Sequence, residues 1–257
     1  MNRQSIFITG AASGIGRAVA HRFANRDWRV GLSDIEEKSL KDLHNQIDGD
    51  AGSYCVDVTD PPSVEAALNS FAEQSEGRLN VLFLSAGITR IGRFEEVPVE
   101  THRQILAVNA GGVATCARMA FPFLKQTPDA RLICMSSASA SYGTPEMASY
   151  SASKFAVRGL TEALNLEWEE HDIHVCDVMP PFVKTPMLEQ EQSTRSMDNL
   201  GVNLTAEDVA NVVERAATSS RKKVHWPVSS SFKLLYRVCD LLPRELVRPI
   251  MKRISGF

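Results

Sequence analysis

The sequence predicts a doubly wound parallel α/β sheet of about seven strands with helices on both faces. Short β-branched or aromatic runs alternate with helix-length stretches, and the strand runs are almost continuously apolar, as strands covered on both faces are. Three glycines also stand where the first strand becomes the first helix. The 257 residues, 44% hydrophobic and 23% charged, suffice for one domain with a full core and no disulfide staples.

The expected strands are Ser5 to Thr9, Arg29 to Ser33, Ser53 to Val56, Val81 to Leu84, Arg131 to Met135, His174 to Val178 and Lys223 to Trp226. Between them, helices are expected over Ile15 to Arg26, Glu36 to Gln46, Pro61 to Gln74, Val99 to Leu124, Ser149 to Glu170 and Ala206 to Ser219. Pro61-Pro62 and Thr205 occupy first-turn and cap positions. With no linker or composition break before it, residues 1–226 read as one domain, and residues 227–257 as a basic C-terminal extension.

Charge supports that division. The net −3 hides nine Lys/Arg against two Asp/Glu after residue 220, so a body of −10 carries a tail of +7. An acidic body lacks the broad basic face that nucleic-acid binding requires. Five cysteines without a Cys-x-x-Cys suggest neither a zinc site nor an oxidised framework, and His171 and His174 find no third ligand in the pattern, so no metal is expected. The short apolar start is not a signal peptide, and no run of 18 apolar residues occurs; a cytoplasmic protein is expected.

Thr9-Gly10-Ala11-Ala12-Ser13-Gly14-Ile15-Gly16 sits between the first strand and the first helix. Glycine permits the tight turn and lets the main chain approach a diphosphate, whose charge the helix N-terminus favours. The alternative is a strand-helix turn built of small residues. Asp34, 24 residues after Gly10, ends the second strand where a carboxylate can accept from an adenosine ribose. About 5 Å from a 2′-phosphate, it would repel each unit charge by ~3 kcal/mol at an effective dielectric near 20, so NAD is preferred over NADP. Asp34 also suits a helix N-cap. Asp57-Val58 at the third strand can face an adenine edge or simply end the strand.

Tyr150 and Lys154 stand at i and i+4, on one helical face. Bringing a phenol from a pKa near 10 to 7 requires about 4 kcal/mol. A cation 4 to 5 Å away supplies ~3 to 4 kcal/mol at the same dielectric. An exposed helix pair is the plain alternative.

Taken together, Thr9-Gly10-x3-Gly14-x-Gly16, Asn109, Ser137 and Tyr150-x3-Lys154 resemble the single-domain short-chain dehydrogenase/reductase family over roughly residues 5 to 226. The resemblance implies a Rossmann-like fold and an NAD(H)-dependent alcohol dehydrogenase or carbonyl reductase. Tyr150 would be the general acid/base, Lys154 would lower its pKa and bind the nicotinamide ribose, and Ser137 would donate to the substrate oxygen. Asn109 would hold a water linking Lys154 to solvent, although it also reads as a helix-kink residue, and Ser136 competes with Ser137. Cofactor contacts are implied for Gly10, Ser13, Gly14, Ile15, Gly16, Asp34, Asp57, Val58, Ala86, Gly87, Tyr150, Lys154, Pro180, Val183 and Thr185. A homodimer or homotetramer through the long fourth and fifth helices is implied as well.

Two positions depart from the family pattern. Leu84-Ser85 replaces an Asn-Asn pair that braces the sheet, with Ser85 able to restore one hydrogen bond, and Pro181 replaces a glycine after the sixth strand. A substrate lid is expected over 186–204. With Tyr142, Met147 and Phe182 it would offer an apolar wall to a lipophilic alcohol or ketone. Phe232 to Ile254 places apolar and basic residues at helical spacing, which suits peripheral membrane contact or packing over the cleft. The competing functions are a non-catalytic dinucleotide-binding regulator and an acyl-thioester ketoreductase.

Overall fold

The computed structural model describes residues 3–257; Met1, Asn2 and the side chains of Ser230, Ser231, Leu235, Arg237 and Val238, the last three in the predicted amphipathic tail, lie outside the described set. Seven strands form one sheet: β1 Ser5–Thr9, β2 Arg29–Asp34, β3 Ala51–Cys55, β4 Val81–Leu84, β5 Ala130–Met135, β6 Ile173–Met179 and β9 His225–Pro227. Their order is β3-β2-β1-β4-β5-β6-β9, with every pairing parallel. The fold is the doubly wound, Rossmann-like one that the alternation predicts.

Period-two alternation divides each strand between two cores. Ile6 and Ile8 of β1, Val81 and Phe83 of β4, and Cys176 and Val178 of β6 face α1 (Gly14–Ala24), α2 (Glu37–His44) and α9 (Ala206–Thr218). Phe7, Leu82, Leu84 and Val175 face α3 (Pro61–Gln74), α5 (Gly112–Lys125) and α6 (Ala148–Glu167). Both faces being dry explains why the strands carry so few polar residues.

The differences from expectation are local. β3 starts two residues earlier than predicted because Ala51 and Gly52, weak strand formers, are drawn into register by Val30 and Gly31. β9 includes Pro227 and pairs His225 with Asp177, so the predicted boundary at residue 226 falls inside a strand. The helix predicted over Val99 to Leu124 is α4 (Val99–Leu106) joined to α5 through a π-helical turn at Ala107–Gly111. Two glycines, Gly111 and Gly112, end that turn; a Cβ on Gly112 would lie 2.6 Å from Val58 Cγ2. Taken as one helix, Val99–Lys125 is long and apolar enough to cross a membrane by length and composition. Its Val113, Cys116, Ala117, Ala120 and Leu124 are instead buried against the sheet.

After β6 the chain forms a small parallel pair, β7 (Val183–Lys184) with β8 (Leu204–Thr205), enclosing short helices α7 (Pro186–Glu189) and α8 (Arg195–Leu200). Beyond β9, α10 (Ser230–Leu241) and α11 (Arg244–Ser255) fold back across the carboxyl end of the sheet.

An ionic chain fixes α6 to this region. His225 Nδ1 lies 2.9 Å from Oδ1 of Asp177, a fully buried carboxylate, and His225 Nε2 lies 3.2 Å from Glu162 Oε1. Arg158 donates to Glu162 and makes two hydrogen bonds with Asp240 of α10. His225→Ala leaves Asp177 buried without its partner and is expected to cost about 3 kcal/mol. Urea denaturation checks this, with His225→Ala/Asp177→Asn expected to recover much of the loss.

Candidate active site

In an open parallel sheet the crevice lies at the carboxyl ends of the strands, where the chain order reverses. Here that point is between β1 and β4, and the residues following both strands meet there. Gly10 has φ +67°, and a Cβ on it would lie 2.8 Å from the Ala86 backbone. A Cβ on Gly16 would run into the Gly10 carbonyl. The glycines therefore let the turn press against both β4 and its own helix.

Thr9 holds the two sides together, since its Oγ1 accepts from the backbone N–H groups of Ser85 (3.1 Å) and Ala86 (3.2 Å). This corrects the expectation that the Ser85 side chain takes over from the missing asparagines: the bracing acceptor comes from β1. The N-cap of α1, Ser13, makes no side-chain capping bond, so the first-turn donors of that helix face the cleft without a local acceptor.

At the far end, the Asp34 carboxylate accepts from Ala12 N (2.9 Å) and Glu36 N (3.1 Å). It is not the N-cap of α2, a position held by Glu36; its bonds lock the glycine turn to β2 instead. Asp57 accepts from the Thr59 backbone and hydroxyl, closing a turn on its own side, while Val58 adds an apolar wall. Among the described residues the buried Ser33 hydroxyl has no partner.

At the opposite end, α6 carries Tyr150 and Lys154 one turn apart, and Ser137 follows β5. Ser137 Oγ accepts from Ser139 N, and its hydroxyl stands close enough to the Tyr150 phenol to favour the ionised form. Lys154 Nζ donates to the Met135 carbonyl at 2.8 Å and lies 5.5 Å from the Tyr150 ring centre. Burial pulls the lysine down to about 8. Burial also raises the Tyr150 phenol, outweighing the nearby Ser137 hydroxyl, which favours the ionised form. Desolvation dominates both groups, and the lysine's hydrogen bond goes to the main chain.

Asn109, in the π turn, is completely buried. Its Oδ1 accepts from Ile88 N (2.8 Å), and its Nδ2 donates to Ile88 O (2.9 Å) and Ser153 Oγ (3.1 Å). None of these bonds reaches Lys154, although a Cβ on Gly87 would lie 3.2 Å from Asn109 Oδ1 and 3.9 Å from Lys154 Nζ. The kink and brace reading of Asn109 is what these contacts display.

These residues border one cleft of about 1080 Å³. Gly10, Ser13, Gly14, Ile15, Asp34, Asp57, Val58, Ala86, Gly87, Ser137, Tyr150, Lys154, Pro180, Val183 and Thr185 all line it; Gly16 and Asn109 stand behind it. The uncapped helix, the glycine cradle and the aspartate in line fit a dinucleotide. Tyr142, Met147, Phe182, Met187, Leu188 and Leu200 form the apolar wall beyond Tyr150.

Phe232, Cys239, Met251 and Ile254 of α10 and α11 also face the cleft, as the reading of the tail as packing over the cleft expects. Other contributors escaped the sequence reading. His102 of α4, which has no sequence partner, lies 2.7 Å from Ser149 Oγ, next to Tyr150. Ser136, the alternative to Ser137, lines the cleft with a hydroxyl that has no partner among the described residues.

Fold and site together define an oxidoreductase with a dinucleotide-shaped groove and a Ser-Tyr-Lys set at one end. The short-chain dehydrogenase family model matches residues 4–196, and the chain belongs to that family. A 3-oxoacyl-(acyl-carrier-protein) reductase of Thermotoga maritima is 32% identical over 214 residues, spanning 80% of this chain and 87% of that one. A 2,5-dichloro-2,5-cyclohexadiene-1,4-diol dehydrogenase of Sphingobium indicum is 34% identical over 215 residues, spanning 79% and 84%. Among solved structures, a short-chain dehydrogenase/reductase of Burkholderia phymatum in complex with NAD superposes with a TM-score of 0.82 at 25% identity, covering 92% of each chain.

Thr9→Val keeps the shape and removes the acceptor for two backbone donors. It is expected to destabilise the protein by about 2 kcal/mol, with Thr9→Ser restoring most of the loss, in chemical denaturation.

Proposed function

We propose that the protein interconverts a lipophilic secondary alcohol and its ketone with NAD(H), Tyr150 serving as general acid/base. The observation that carries this is the placement of Ser137, Tyr150 and Lys154 together, beside an apolar wall and at the opposite end of one cleft from Asp34. The nicotinamide, when bound, supplies the hydride acceptor or donor. The chain supplies position and proton. Ser137 stands beside the Tyr150 hydroxyl and can donate to a substrate oxygen as charge gathers there. Tyr150 gives its proton to that oxygen in reduction and takes one in oxidation. Lys154, fixed by the Met135 carbonyl, holds a positive charge near the phenol and the cofactor ribose site. Val183, Thr185 and Pro180 line the cleft where a nicotinamide would lie, and Asn109 keeps Ile88 and α6 in place.

The preference for NAD rests on Asp34. Its two backbone bonds fix the carboxylate at the end of β2, and the neighbouring cleft residues Ser33, Ile35 and Glu36 bring no cation to receive a 2′-phosphate. Similarity to the Thermotoga maritima reductase favours a second reading, a ketoreductase for acyl thioesters. The apolar wall accommodates either, and a panel comparing lipophilic ketones with 3-oxoacyl thioesters separates them.

Tyr150→Phe is expected to lower turnover about 10²- to 10⁴-fold while NADH still binds. In the intact protein, oxidation should climb with pH as the phenol ionises, and reduction should fall. Initial rates in both directions across pH test this; NADH binding without any turnover on the panel, unaffected by Tyr150→Phe, would favour the regulator instead. Asp34→Ala should narrow the NADH-to-NADPH affinity ratio by about a hundredfold, read by fluorescence titration. An unchanged ratio removes Asp34 as the selector.

A further inference from the structure

Helices α10 and α11 have two faces with different duties. Inward, Val247 is buried, while Met251 and Ile254 line the cleft. Outward, Leu234, Leu241, Leu242, Leu246, Ile250 and Phe257 are exposed, from 38% for Leu242 to 82% for Leu241. Isolated exposed leucines are ordinary, but a concentration of apolar side chains on two adjacent helices and the residues just past their ends is a contact surface.

Charge completes the pattern. Lys233, Arg248, Lys252 and Arg253 are exposed on these helices, and among the described residues none has an ion-pair partner. They account for four of the nine cations in the +7 segment, which is attached to a body of −10. Apolar side chains interleaved with free cations match the acyl boundary and anionic headgroups of a bilayer. A two-fold contact of this face with a second copy would instead bring like charges together.

We propose that the outer face of α10 and α11 docks on an anionic lipid bilayer, with the leucines entering the headgroup boundary and the cations lying over lipid phosphates. The lid follows this surface. Asn199 of α8 donates to the Ile254 carbonyl at 2.8 Å, and Arg195 donates to the Gly256 carbonyl at 3.0 Å. Docking therefore sets the cleft's lipophilic wall beside the membrane surface.

The test is sedimentation of the full chain with phosphatidylcholine vesicles, with and without phosphatidylglycerol, at low and high salt and without substrate. Binding is read independently of turnover, so failure of the enzymatic reading leaves this result intact. The expected result is pelleting with the anionic vesicles and at least about tenfold weaker partition for neutral vesicles and for Arg248→Glu/Lys252→Glu. Leu246→Ser/Ile250→Ser should weaken the binding that survives high salt. Circular dichroism melting confirms that these exposed substitutions leave the fold intact. Absence of pelleting, or equal pelleting of wild type and the charge-reversed variant, overturns the proposal. So does light scattering in which Leu246→Ser/Ile250→Ser breaks an oligomer while vesicles leave the protein in solution, since the face then belongs to a second copy.

Discussion

The close approach of three backbone segments at the end of β1 is the constraint on which the molecule depends. Gly10 touches Ala86, Gly16 sits over Gly10, and Thr9 ties the β4 side in place through one hydroxyl. Any side chain at either glycine would push the turn from the sheet or α1 from the turn. Asp34 adds a tether from β2. The groove floor is thus made of main chain fixed from three strands, which is what recognition of a diphosphate by N–H groups demands.

The catalytic end follows a different principle. Lys154 is buried among few compensating groups, and its pKa falls to about 8 from 10.5. In that interval the unfolded chain binds more protons than the folded one, so this residue's contribution to stability improves as pH rises from about 8 to 10.5. At neutral pH the buried cation is held at a cost, which the rest of the fold must offset. The ionic chain from Asp177 through His225, Glu162 and Arg158 to Asp240 braces the same helix from below.

The sheet was legible in the sequence because burial on both faces leaves an uninterrupted apolar signal, as in Ile6-Phe7-Ile8 and Val81-Leu82-Phe83-Leu84. The glycine turn, Asp34 and the Tyr150-Lys154 pair were legible because their spacing along the chain reflects direct geometry. What was hidden depends on contacts between distant segments. Thr9 as the brace for Ser85 and Ala86, the Met135 carbonyl under Lys154 and the pairing of His102 with Ser149 have no local signature. The π turn left only one trace, Asn109 as a kink residue, since an extra residue in a helix leaves the apolar pattern on either side nearly unchanged. The desolvation of Tyr150 is equally illegible in sequence, because pairwise attraction is visible in spacing, whereas desolvation is a property of the assembled cleft.

The return of α10 and α11 across the cleft divides the site by its origin in the chain. The dinucleotide turn and its braces come from residues before about 90, whereas the outermost wall comes from the final 25 or so, which follow the last strand and lie in two helices. Such an arrangement separates two kinds of inheritance. Substitutions in the last two helices can redraw what the cleft admits while the cofactor groove remains under its own, independent constraints, so the terminus is the natural place for substrate range to diverge and for redesign to begin.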